Sequence, residues 1–73
     1  MEITQDKISV TVNGEAREVA AGANVIQLLD SLNLHSGRVA IERNLQILPR
    51  SAWTSTRVTA GDRYEIVQFV GGG

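Results

Sequence analysis

Only one stretch of the sequence has the apolar spacing of an α-helix, and this limits how the chain can build a core. Four apolar residues recur at positions i, i+3, i+4 and i+7, which places them on one face of a helix. A helical stripe can bind a partner, but here it is expected to cover a sheet. One helix covers only one face, so the other face should stay open. The stripe consists of Val25, Leu28, Leu29 and Leu32.

Local signals mark both ends of this helix. Asn24 is a favourable N-cap, and Gln27 stands three residues later, where a capping box places its second partner. The helix is predicted to run to about Leu34, because Asn33, Ser36 and Gly37 provide a stop signal.

A β-hairpin is predicted before the helix. After a polar lead-in at residues 1–7, residues 8–12 alternate apolar and polar side chains with period two, as a half-buried strand does. Asn13-Gly14 follows and favours a type I′ turn, which requires positive φ at both central residues. Residues 15–19 then return as the second strand.

Three further strands are predicted after the helix. Val39 and Ile41 share one face of the first, and Pro49 confines the second to a sheet edge because proline lacks a backbone donor. Trp53 lies in a stretch without a clear period, where a turn or a short 3₁₀ segment is expected. The strands are residues 38–43, 46–48 and 64–70, and residues 59–62 form a turn before the last one.

The order of these elements predicts an α+β fold of the β-grasp type. A helix that follows a hairpin can cross one face of a mixed sheet and deliver the next strand. The sheet is expected to have four to five strands, with the first and last parallel and adjacent at its centre and one main helix packed on one face. Residues 1–70 are predicted to form this domain, and residues 71–73 a flexible glycine tail.

Alternation along the last strand separates a core face from an open face. Tyr64 and Ile66 are expected under the helix, which leaves Val67 and Phe69 on the open face. Adjacent exposed apolar side chains indicate a partner surface, so Val67, Phe69 and Val70 are predicted to dock a partner. A strand covered on both faces is the alternative.

Three glycines follow this strand, Gly71, Gly72 and Gly73. Without Cβ atoms they are not expected to extend it, and as a flexible tail they would reach about 10 Å. Such a tail, ending in the α-carboxylate of Gly73, could enter a channel too narrow for any side chain. A frayed terminus is the alternative.

Composition argues against several functional classes. The chain has no cysteine, which excludes disulfides and thiolate chemistry, and His35 alone cannot build a histidine metal site. A net charge of −1 argues against binding to nucleic acid or to an anionic membrane. No membrane span or signal pattern is visible, so a cytoplasmic location is expected. No catalytic motif is present, and a carrier or substrate is expected rather than an enzyme.

Four segments resemble the sulfur-carrier protein of bacterial thiamine biosynthesis (the ThiS family), and the resemblance covers nearly the whole chain after Lys7. Two departures from the family pattern are visible. The N-terminal lead-in is longer than usual, and Leu45 and Leu48 stand where glycine or another residue is expected, so the local turn could differ. The segments are Val12-Asn13-Gly14-Glu15, the stretch from Val39 to Asn44, Ile47-Leu48-Pro49-Arg50-Ser51-Ala52-Trp53, and Gly61-Asp62-Arg63-Tyr64-Glu65-Ile66-Val67 leading to the terminal glycines.

The resemblance implies a ubiquitin-like β-grasp fold and a defined role for the tail. Gly73 would be adenylated by a ubiquitin-activating-type adenylyltransferase, which would use ATP and Mg²⁺, while this chain itself would bind no cofactor or metal. A sulfur donor such as a cysteine desulfurase would then allow formation of a Gly73 thiocarboxylate, and thiazole synthase would receive the sulfur. Gly72 and Gly73 are the functional positions in this pattern, with Gly71 as a spacer.

Three other functions stay open at this point. The small subunit of molybdopterin synthase shares the fold and the tail, and the synthase that co-purifies would distinguish it. A ubiquitin-like protein modifier would form isopeptide adducts on lysines. A plain interaction domain would keep its function after deletion of Gly73.

Overall fold

In the computed structural model, which describes residues 6–34 and 38–69, five strands and one α-helix form the β-grasp arrangement that the element order predicts. The helix α1 lies on one face of the sheet and ends before the third strand. The elements are β1 (Lys7–Val12), β2 (Glu15–Ala20), α1 (Val25–Ser31), β3 (Val39–Arg43), β4 (Gln46–Ile47) and β5 (Arg63–Gln68).

The sheet has the order β2-β1-β5-β3-β4, so its first and last strands lie together at the centre. The pairing of β1 with β5 is parallel, as predicted, but covers only two registered positions, Thr11 with Arg63 and Val12 with Tyr64. In contrast, β3 pairs antiparallel with β5 along five positions. The short strand β4 is an edge strand, which confirms the effect expected of Pro49.

Two hairpin turns use left-handed backbone conformations. Asn13 and Gly14 have φ values of 50° and 84°, which confirms the predicted type I′ turn. Asn44 and Leu45 join β3 to β4 with φ values of 52° and 71°. A leucine in this region costs about 1 kcal/mol, so the turn at this departure from the family pattern forms with strain. The hairpin itself starts at Lys7, one residue earlier than predicted.

The helix begins as predicted and ends earlier. The side chain of Asn24 accepts from the backbone N–H of Gln27 at 2.8 Å, and the Gln27 side chain accepts from the Asn24 N–H at 2.8 Å, a complete capping box. The prediction of a helix to about Leu34 is wrong. Asn33 takes a φ of 61°, and the N–H of Leu34 bonds the carbonyl of Leu29 at 2.9 Å, which closes the helix after Ser31.

The core fills the space between α1 and the sheet. A 3₁₀ turn at Arg50–Ala52 brings Trp53 into it, and the indole N–H donates to the carbonyl of Leu48 at 3.0 Å. The largest fully buried side chains are Trp53, Tyr64, Leu28, Leu29, Val10 and Val25.

Within the described ranges, no helix has the length and apolar character needed to cross a membrane.

Candidate partner-docking surface

The last strand divides its side chains between two faces, as predicted. Tyr64 is fully buried and Ile66 is nearly so, and both belong to the core cluster that includes Leu28 and Leu29 of α1. Val67 and Phe69 lie on the other face, and each exposes 55% of its surface. The alternative of a strand covered on both faces is therefore excluded for this part of β5.

The strand is shorter than predicted. β5 ends at Gln68 rather than at residue 70. The Phe69 N–H still donates to the carbonyl of Arg38 at 2.8 Å, so Phe69 continues alongside the chain segment that leads into β3. Of the predicted site residues, Val67 and Phe69 are therefore placed on one open surface. The others, Val70, Gly71, Gly72 and Gly73, lie outside the described residues, as do the domain boundary at residue 70 and His35.

Asn13 holds β5 where β1 has ended. Its side-chain oxygen accepts from the N–H of Ile66 at 2.8 Å, and its Nδ2 donates to the carbonyl of Ile66 at 3.1 Å. The two bonds imitate those of a neighbouring strand, because one residue of β5 has both backbone groups satisfied by one amide. Asn13 thus fixes the residue that directly precedes Val67. The sequence pattern around Asn13 indicates only its role in the turn, because Ile66 is 53 positions away.

A second polar cluster fixes the start of β5, and Asp62 is its centre. Although Asp62 was predicted only as a turn residue, it is 5% exposed. It accepts from the Thr59 N–H at 2.8 Å, Arg43 Nε and the Tyr64 hydroxyl at 3.0 Å, and Asn44 Nδ2 at 3.1 Å. The Arg43 guanidinium also forms an ion pair with the carboxylate at 3.0 Å. These contacts tie β3 to the turn before β5.

Burial and hydrogen bonds shift the pKa values of three side chains in this cluster. Burial alone would raise the pKa of Asp62, but the hydrogen bonds from Thr59, Asn44, Tyr64 and Arg43 outweigh it and lower that pKa below the usual value. Burial raises the pKa of Tyr64 to about 12. Burial opposes the charge of Arg43, yet its bonds to Tyr64 and Asp62 leave its pKa raised. At neutral pH the carboxylate and guanidinium are charged and the phenol is neutral, an arrangement suited to holding structure.

The open face also has a shallow groove of about 380 Å³. Two glutamates face each other across it, since Glu42 of β3 is the registered partner of Glu65 of β5. No group of three or more metal-ligating side chains occurs among the residues the structure describes. The groove is lined by Ala40, Ile41, Glu42, Ile47, Glu65 and Val67.

Comparisons with known proteins agree with this architecture. The ThiS family model matches residues 10–73. Sulfur carrier protein ThiS of Escherichia coli (strain K12) is 33% identical over 66 residues, which covers 90% of this chain and 100% of that protein. The crystal structure of the thiamine biosynthesis protein ThiS from Geobacter metallireducens matches with a TM-score of 0.75 and 38% identity, covering 90% of this chain and 100% of that one.

A longer relative matches with higher identity. Thiazole synthase of Paramagnetospirillum magneticum (strain ATCC 700264 / AMB-1) is 44% identical over 66 residues, which is 90% of this chain. The chain spans only 20% of the length of that protein. The similarity therefore concerns one segment of a larger polypeptide.

Proposed function

Because this chain belongs to the ThiS family, we propose that it is a sulfur carrier of thiamine biosynthesis that holds sulfur as a thiocarboxylate on Gly73. The observation that supports this most directly is the family match, which continues through residue 73. The chain acts in this proposal as a substrate and donor, and other proteins perform the catalysis.

The chemistry requires activation of the tail. A carboxylate is a poor acyl electrophile because its charge and resonance resist attack by a nucleophile. A ubiquitin-activating-type adenylyltransferase would convert the Gly73 carboxylate and ATP into the glycyl adenylate and pyrophosphate, with Mg²⁺ held by that enzyme. A donor such as a cysteine desulfurase would supply the sulfur as a persulfide, and a thiol would reduce it to the level of sulfide and itself become a disulfide. The reduced sulfur would displace AMP from the glycyl adenylate and leave the thiocarboxylate. Glycine offers the least hindered acyl group for both steps.

The described part of the chain supplies presentation and recognition. Asn13 and the Asp62 cluster fix β5 at two positions, which holds Val67 on the strand and Phe69 directly after it, just before the predicted tail. We propose these two side chains, with Val70, as the contacts of the partner that takes up Gly71, Gly72 and Gly73. Exposed apolar surface of this kind is typical of a protein-binding site.

Thiazole synthase is the proposed acceptor of the sulfur. One relative that carries this name contains a segment 44% identical to 90% of the chain. A carrier segment within a synthase polypeptide supports a functional link between the two activities, because joining them raises the effective concentration of one for the other.

Intact mass spectrometry tests the proposal. The 73-residue chain is incubated with the adenylyltransferase, ATP, Mg²⁺ and a sulfur donor, and the expected product has one oxygen atom replaced by sulfur. A chain that lacks Gly73 is the matched control, and it should keep the same unfolding curve while gaining no sulfur. If the full chain gained no sulfur, or if the shortened chain gained as much, the proposal would be wrong.

A further inference from the structure

We infer that the open face receives a basic side chain of thiazole synthase between Glu42 and Glu65, while apolar groups of the same partner pack on Val67 and Ile47. This inference rests on the proposed function. The inference adds to the proposed function an electrostatic contact, which the apolar docking residues do not provide.

The two glutamates are an unfavourable pair in the isolated domain. They are directly opposed in the antiparallel pairing of β3 and β5, which places their Cβ atoms about 5 Å apart, and like charges in this position destabilise a sheet. The ion pairs found in the described part of the chain join Arg17 to Glu15 and Arg43 to Asp62. Glu42 and Glu65 therefore face solvent with their charges uncompensated by an ion pair there.

Apolar side chains flank this acidic pair. Ile47 is the registered partner of Glu42 on the edge strand and is 79% exposed. Val67 follows Glu65 on the same face and pairs with Ala40. A lysine or arginine matches this surface, because its methylene stem packs on apolar groups while its charged head meets the carboxylates. The planar fork of an arginine can also bond carboxylate oxygens in two directions.

The charges decide what kind of partner fits. Two carboxylates beside exposed Ile47 and Val67 favour a surface with a cation among apolar residues and disfavour an acidic one. Arg63 lies two residues before Glu65 on β5, so it shares the face of the groove. The acidic centre thus has a cation on one side along the strand, and this asymmetry can also fix the orientation of the partner.

The position of the groove relates it to the acceptor of the tail. Glu65 lies four residues before Phe69, roughly 14 Å along the strand, and the three-glycine tail reaches only about 10 Å. A protein that takes Gly73 into its active site must therefore contact the end of β5, and Val67, which lines the groove, lies only two residues before Phe69. We assign the basic group to thiazole synthase because the relative of that name contains a segment similar to this chain.

The test compares charge-neutral variants. Glu42→Gln, Glu65→Gln and the double variant are titrated against thiazole synthase from the same organism, with binding measured by calorimetry. Each single substitution should weaken binding several-fold and the double by at least about tenfold, since each removes a charge from a contact that excludes water. The affinity of the wild type should fall as salt rises from about 0.05 to 0.5 M, and that of the double variant should change much less.

Glu18→Gln is the matched control, since Glu18 is an exposed glutamate on the outer strand β2 paired with Ser9. It should leave binding unchanged. The double variant should be at least as stable to urea as the wild type, which separates lost recognition from lost folding.

Three outcomes would overturn the inference. The double variant could bind thiazole synthase with unchanged affinity, Glu18→Gln could lose as much affinity as the double variant, or the double variant could lose affinity for the adenylyltransferase and not for thiazole synthase. Sulfur loading of Gly73 is followed separately. If loading succeeds while the double variant binds normally, the inference fails and the proposed function stands. If the wild type cannot be loaded, the proposed function fails.

Discussion

Asn13 is the residue whose replacement most directly tests how β5 is held. Its amide makes two hydrogen bonds to the backbone of Ile66, 53 positions along the chain, at 2.8 and 3.1 Å. Because β1 pairs with β5 at only two positions, these bonds replace the strand contact that β1 no longer provides. Asn13 also has a φ of 50°, which asparagine tolerates better than most residues.

The structure gives a magnitude for each replacement. Asn13→Gly keeps the backbone conformation and loses both bonds, and at roughly 1 kcal/mol per bond it should lower the free energy of unfolding by about 2 kcal/mol. Asn13→Ala adds the strain of an alanine at positive φ and should lower the free energy of unfolding by about 3 kcal/mol. Asn13→Asp keeps the acceptor for the Ile66 N–H and loses the donor, so its effect should be smaller than that of Asn13→Gly.

Urea unfolding followed by the fluorescence of Trp53 measures these differences, because Trp53 is the single tryptophan and is buried. For a domain of this size, Asn13→Gly should lower the melting temperature by about 10 °C. Amide exchange should accelerate at Ile66 more than at Val10, which lies in the core of β1. Stability of Asn13→Gly within about 0.5 kcal/mol of the wild type would refute the role of Asn13, because that is the size of an ordinary surface substitution.

Two further predictions concern the start of β5 and its open face. Asp62→Asn should lower the free energy of unfolding by about 2 kcal/mol at pH 7, since it removes the charge of a buried carboxylate that pairs with the partly exposed Arg43. Because the pKa of Asp62 is lowered on folding, its stabilisation is present at neutral pH and is lost as the pH falls through the folded pKa. Urea unfolding of wild type and variant from pH 7 to pH 3 should show the difference shrinking, and a constant difference would contradict this. Phe69→Ala should weaken binding to the adenylyltransferase about tenfold with little loss of stability, and equal affinities in a titration would exclude the contact.

Features governed by close neighbours in the sequence could be predicted. The type I′ turn depends on Asn13 and Gly14 alone, and the capping box on Asn24 and Gln27, so short-range rules identify both. The alternation of β5 likewise predicted which side chains face the helix. The end of α1 was harder to predict, because several residues could stop the helix and only the backbone of Asn33 shows which one does.

Contacts between distant residues could not be predicted in this way. Asp62 has the sequence signature of a turn residue, and nothing near it indicates that Arg43 and Asn44, 19 and 18 positions earlier, complete its hydrogen bonds. The second role of Asn13 was missed for the same reason. The family pattern pointed to Leu45, but whether a leucine there would alter the turn or adopt a positive φ could be decided only from the backbone.

The alternation of β5 has a consequence for how recognition can change without loss of the fold. Tyr64 and Ile66 bind the strand into the core, while Glu65 and Val67 between them face solvent. Because neighbouring side chains point to opposite faces, a substitution on the open face leaves the core contacts of the strand in place. Asn13 holds the same strand through the backbone of Ile66, and Asp62 holds the turn that precedes it. Neither residue lines the groove. The partner surface can therefore be altered without loss of the core contacts, and this separation is what allows binding and unfolding to be measured on the same variants.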